Sequence, residues 1–159
     1  MPLTCGECCC PEARQILQQS DPRTLFPEAT DAAAAMAGLY LYISCFEEAH
    51  EIVSHSETRE CELWHAILHR QEPDSGNAAY WFRRVKTHPT YSKVAQAAVT
   101  ILDKIPTAEF RIGHWDPFAF IAFCERAVSQ PGSSQERAAR EIQRAEWQIL
   151  FDYCARPRT

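Results

Sequence analysis

The sequence predicts an all-α fold, a single compact multi-helix bundle of about seven helices. Three observations predict it. Apolar residues recur at three- and four-residue spacing, as in Val94, Ala97, Ala98, Ile101, Leu102 and Ile105. No stretch of any length carries the apolar–polar alternation of a half-buried strand. The joints have helix chemistry, with prolines at first positions, acids and serines at caps, and only five glycines in the chain.

Each element follows in order. Residues 1–10, MPLTCGECCC, read as a flexible Cys-rich tail, and residues 11–159 as the single helical domain. Pro11 opens a short helix, PEARQILQQS, and DPRTLFPEAT is a turn-rich connector. Asp31 caps a long helix reaching about His55, with Pro27 as an alternative start; Ser56 caps the next, to Gln71. EPDSGN breaks that helix, and AAYWFRRV forms another, capped from Asp74, Ser75 or Asn77. HPT breaks again before YSKVAQAAVTILDKI. Residues 106–115 form a loop, with room for a short extended piece at EFRI. Asp116–Pro117 starts FAFIAFCERAV, QPGSS ends it, and Ser133 with Glu136 makes a capping box for a last helix to about Ala155.

Composition bounds the function. The 159 residues are 46% hydrophobic and carry a formal charge of −5, with no basic run longer than two residues. A nucleic-acid binder needs many Lys or Arg along a phosphate track, so no nucleic-acid partner is expected. The N-terminus lacks the charged and apolar regions of a secretory signal. The longest uncharged run, residues 32–46, suits a buried helix and is too short to span a bilayer. A soluble, cytoplasmic protein without a membrane partner is the expectation. Cys45, Cys61, Cys124 and Cys154 lie among apolar residues and read as buried thiols in a reducing compartment. Cys5, Cys8, Cys9 and Cys10 read either as half a metal or acylation site or as an oxidisable tail.

The informative question is which ionisable residues the helical period turns inward. In the segment after Asp31, Leu39, Ile43, Phe46 and His50 share one stripe, and Glu47 continues the line of Met36, Tyr40 and Ile43. In the next helix, Glu62, His65, His69 and Glu72 fall within an arc of about 80°, opposite Leu63, Trp64 and Ile67. In the last helix Glu146 sits inside the stripe of Ile142, Ala145, Ile149, Leu150 and Tyr153. A buried carboxylate there needs an Arg, a His or an ion.

Glu47-x-x-His50 and Glu62-x-x-His65 each put a carboxylate and an imidazole on adjacent turns, and His69 adds a second imidazole one turn on. Helical bundles build metal sites this way, which makes His50, His65, His69 and Glu146 candidate ligands for Zn, Fe or Ni. His65 and His69 are also the candidate acid–base groups. The competing reading leaves both on the polar side of their helix, facing water. The di-iron pattern of further glutamates is absent, and H-x-x-x-H lacks the zincin's flanking glutamate.

The segment RQEPDSGNAAYWFRRV gathers Arg70, Glu72, Asp74, Asn77, Tyr80, Trp81, Arg83 and Arg84 around a helix break. One reading is the lip of a pocket for a small anionic or planar ligand, in which an arginine fork holds an anion and Tyr80 or Trp81 stacks on a ring. The other is a clasp, with Glu72 and Asp74 pairing Arg83 or Arg84 or capping the next helix, and the protein serving as a non-catalytic interaction module. His114, Trp115 and Asp116 form either a second wall or a helix cap with a buried aromatic.

WHAILHRQEPDSGNAAYWFRRV, followed by HP, HWDPFAF and EIQRAEWQILFDYC, resembles a family of uncharacterised, mainly bacterial helical proteins. The likeness covers about residues 39–154 and leaves out the Cys-rich tail. It implies a single-domain helical protein and brings no reaction and no catalytic residue.

Overall fold

The computed structural model describes residues 1–157. Among them are nine helices and no strand: α1 (Pro11–Gln18), α2 (Pro22–Leu25), α3 (Ala32–Tyr42), α4 (Phe46–Ser54), α5 (Arg59–Gln71), α6 (Ser75–Val85), α7 (Tyr91–Asp103), α8 (Pro117–Val128) and α9 (Ser134–Ala155). The fold class is as expected. The count is higher for two reasons. The connector contains the one-turn α2, capped by Asp21, and the long helix after Asp31 is two helices.

That split falls at Ser44, which turns at φ 60°. On its first side, α3 is apolar all round and almost wholly buried. On its second, α4 buries only Ala49 and Val53 and packs along α5. The chain changes direction so that a central helix gives way to a peripheral one. Neither Pro nor Gly marks the point.

The other joints use short polar side chains. Asp31 caps α3 through the Ala34 N–H (3.0 Å) and accepts the Thr58 hydroxyl (2.6 Å). Thr58, not Ser56, caps α5. Asp74 caps α6, and Asp116 caps α8 with Pro117 at its first position. Ser133 caps α9 through the Glu136 N–H, and the Glu136 carboxylate reaches back to the Gly132 N–H.

Two apolar clusters form the interior. One joins α3, α4, α5 and α6 around Met36, Leu41, Trp64, Ile67 and Phe82. The other joins α7, α8 and α9 around Val94, Phe120, Phe123 and Ile142. At 22 residues α9 is the longest helix, and it lies against α3, α7 and α8. Gly38 allows α3 to meet α5 closely: a Cβ there would stand 2.7 Å from Cζ2 of Trp64. The same residue's carbonyl accepts the Trp147 indole N–H at 2.8 Å.

The N-terminal ten residues differ from the flexible tail expected. Leu3 is buried in the second cluster. The Pro2 carbonyl accepts the side-chain amides of both Gln71 and Gln143, and the Cys5 N–H donates to the Gln71 carbonyl at 2.7 Å. Cys9 donates its N–H to the Ile43 carbonyl at 2.9 Å, and Cys8 is disulfide-bonded to Cys45. Cys45 is therefore not the free buried thiol its surroundings suggested, whereas Cys61, Cys124 and Cys154 are free and buried. Among the described residues no helix is long and apolar enough to cross a membrane.

Candidate functional site

The site grows from the pairing of α4 with α5. His50 lies one turn into α4, and His65 and His69 lie on successive turns of α5. The side of α5 that carries the two histidines does not face water. Between Glu60 and Gln71 all but Glu62 are buried, because α4 and α6 cover the polar arc while the core takes the apolar one. His65 is 4% exposed and His69 6%. His50 is half-buried.

The three imidazoles converge. One nitrogen from each lies within 4.8 Å of the others. The Nε2 atoms of His50 and His65 are 3.1 Å apart. The rings of His65 and His69 stack at 4.8 Å, and the Trp81 indole stacks on the His65 ring at 3.9 Å and 18°. Two nitrogens bound to one tetrahedral zinc at about 2.0–2.1 Å stand roughly 3.3 Å apart. The His50–His65 pair already has nearly that spacing, and one nitrogen of His69 lies within 4.8 Å of both rings' ligand atoms.

Burial pushes His65 down to a pKa of about 3, with the His69 and His50 rings adding repulsion. It is therefore a neutral imidazole at physiological pH, the form that carries a lone pair. Its Nδ1 is buried with no hydrogen-bond partner.

His69 is held at both nitrogens. Nδ1 lies 2.8 Å from the Glu72 carboxylate, and Nε2 lies 3.0 Å from the Asn77 side-chain amide. A carboxylate can only accept, so Nδ1 carries the hydrogen and Nε2 the lone pair. This is the carboxylate–imidazole arrangement that orients metal-binding histidines.

Glu146, the fourth expected ligand, lies outside this cluster. Its carboxylate pairs with Arg70, which also donates Nε–H to Gln143 at 3.3 Å. Both charged side chains are almost fully buried, and the guanidinium carbon stands 4.6 Å from the centre of the Phe120 ring. Burial, the largest influence, lowers the Arg70 pKa; the charge and hydrogen bond of Glu146, together with the neighbouring Cys124 and Tyr91, raise it above its ordinary value. Arg70 lies apart from the three histidines. It is the buried counter-ion that α5 gives to α9.

The remaining residues of the expected lip separate into two sets. Asp74 caps α6 through the Asn77 N–H at 3.0 Å. Arg84 pairs with Glu62, not with Glu72 or Asp74, and its guanidinium lies 5.1 Å from the Trp81 ring centre. Tyr80 is exposed and meets Trp81 edge to face at 5.3 Å. Arg83 is exposed, 5.9 Å from the Phe118 ring. From this segment Glu72 and Asn77 meet His69, and Trp81 meets His65. Trp115 is buried in the second cluster and Asp116 is a helix cap, which is the cap reading of HWDPF.

Sequence reasoning missed Gln143 and Gln71, fully buried side chains that hold the Pro2 carbonyl. Their only signal is a polar residue beside an apolar stripe, which also describes many exposed glutamines. No family model, curated protein or solved structure matches the chain.

Proposed function

We propose that the protein binds one divalent transition-metal ion among His50, His65 and His69. The observation that carries this reading is the meeting of three imidazole nitrogens within 4.8 Å, two of them 3.1 Å apart, in a buried setting. Neutral nitrogen donors suit Zn, Fe or Ni, and three protein ligands leave a coordination position for water or a small anion. Glu72 orients His69, and Trp81 packs His65 in place. An ion so held can lower the pKa of a bound water, which is the route by which the site would support catalysis. Exposed Tyr80 and Arg83 supply the surface for a planar or anionic ligand.

The second reading, a clasp in a non-catalytic interaction module, draws on the internal pairing of Glu62 with Arg84 and Glu72 with His69.

Metal analysis of protein purified without chelator, with melting in Zn²⁺ and in EDTA, separates the two. Metal binding predicts about one ion per chain and a melting temperature raised by Zn²⁺, because a ligand bound only by the folded state stabilises it. No bound metal and no response to either reagent leave the clasp.

A further inference from the structure

We propose that Asn77 gates this metal site: its amide competes with the ion for His69, so that removing it tightens binding. The inference rests on the metal reading above and goes beyond it, because it assigns a brake to a residue that is not a ligand.

The argument is one of lone pairs. The Glu72 carboxylate, 2.8 Å from Nδ1 of His69, fixes the hydrogen on that nitrogen. The lone pair of His69 is then on Nε2, and the Asn77 amide nitrogen stands 3.0 Å from it. An amide N–H donated to that lone pair occupies the orbital an ion needs. Metal and amide cannot hold it together, so each ion that binds must first turn the amide away.

Geometry makes Asn77 suited to turn. It lies in the first turn of α6, where its backbone N–H is held by the Asp74 cap at 3.0 Å. The backbone is fixed while the side chain is only half-buried. Neither the His50 nor the His65 Nε2 faces such a plug; they face each other. Loading breaks the His50–His65 contact in wild type and variants alike, so a difference between them reports the Asn77 hydrogen bond to His69. A net hydrogen bond of ordinary strength corresponds to roughly a five- to tenfold change in affinity.

The test is a Co²⁺ titration, read by visible absorption, on the full chain as wild type, Asn77→Ala and Asn77→Ser, with Zn²⁺ affinities from competition against Co²⁺. Both variants are expected to bind about five- to tenfold more tightly than wild type. Glu72→Gln, which loosens the hold on Nδ1, is expected to bind more weakly. Serine keeps a small polar group at this turn, so the comparison survives if alanine perturbs the helix. Equal or weaker binding by the Asn77 variants, with wild type binding one Co²⁺, overturns the gate and leaves the metal site standing. Absence of Co²⁺ binding in all of them overturns both. Nitrogen NMR of metal-free protein adds a further readout: the gate requires the Nδ1–H tautomer of His69, and the opposite tautomer overturns it.

Discussion

The Nε2 atoms of His50 and His65 face each other at 3.1 Å across the α4–α5 interface. One can donate to the other only if one ring is hydrogenated at Nε2 and the other is not. A hydrogen on both Nε2 atoms would set two N–H groups nose to nose. The arrangement accommodates one shared hydrogen between the two nitrogens.

Metal-free protein should lose stability as the pH falls, and His65 should contribute visibly. Its folded pKa is about 3 and its ordinary value 6.5. Between these values the unfolded chain takes up a proton that the folded chain refuses. The stability contributed by neutral His65 is complete above pH 6.5 and is lost progressively as pH falls from there toward 3. Urea unfolding at pH 7 and pH 5 should show a larger drop for wild type than for His65→Gln, by about 2 kcal/mol. Equal drops would mean that His65 is protonated as easily folded as unfolded.

The Arg70–Glu146 pair should be intolerant of losing one partner and tolerant of losing both. Glu146→Leu leaves a buried guanidinium without its counter-ion, which costs about 3–5 kcal/mol. Arg70→Met with Glu146→Leu removes both charges and should recover most of that loss. Denaturant midpoints of Glu146→Leu, Arg70→Met and the double measure it. Additive losses would show that the charges are not coupled.

How much of this was legible follows from what helical winding encodes. It gives the direction of a side chain and not the neighbour it meets. Spacing put His50 and Glu146 on apolar stripes and left His65 and His69 open between the interior and water; His65, His69 and Glu146 are buried and His50 is half-buried. Which of them meet depends on α4 pairing with α5, and on α9 running past the C-terminal end of α5, where Arg70 waits. A carboxylate in an apolar stripe announces a need for a partner, and the sequence leaves arginine and metal equally open. Caps were readable at Asp74, Asp116 and Ser133, because an oxygen two or three residues before a free N–H is a local signal. The break at Ser44 was not, since tertiary packing imposes it on residues that would continue a helix.

Gly38→Ala should destabilise the fold although it sits in a helix. Alanine is favoured over glycine there by about 1 kcal/mol. The added Cβ would meet Trp64 at 2.7 Å, and Trp64 is fully buried with no room to retreat. Overpacking of this kind costs about 1–3 kcal/mol, so the clash outweighs the propensity. A thermal melt above the wild-type value would contradict the close α3–α5 approach.

The docked N-terminal segment should matter to stability. Leu3→Ala removes a buried side chain from the second cluster and should cost about 2 kcal/mol, at the lower end of such substitutions because the segment can shift. Amide exchange should also be slow at Cys5, whose N–H is bonded to the Gln71 carbonyl. An unchanged midpoint and fast exchange would return the segment to a free tail.

The most direct measurement of the central claim is X-ray absorption at the zinc edge on protein loaded with one equivalent of Zn²⁺. The three-histidine site predicts nitrogen scatterers at about 2.0–2.1 Å with the outer-shell pattern of imidazole rings, reduced by one ring in His50→Ala. A first shell of sulfur from the N-terminal cysteines, or a spectrum unchanged by His50→Ala, would contradict it.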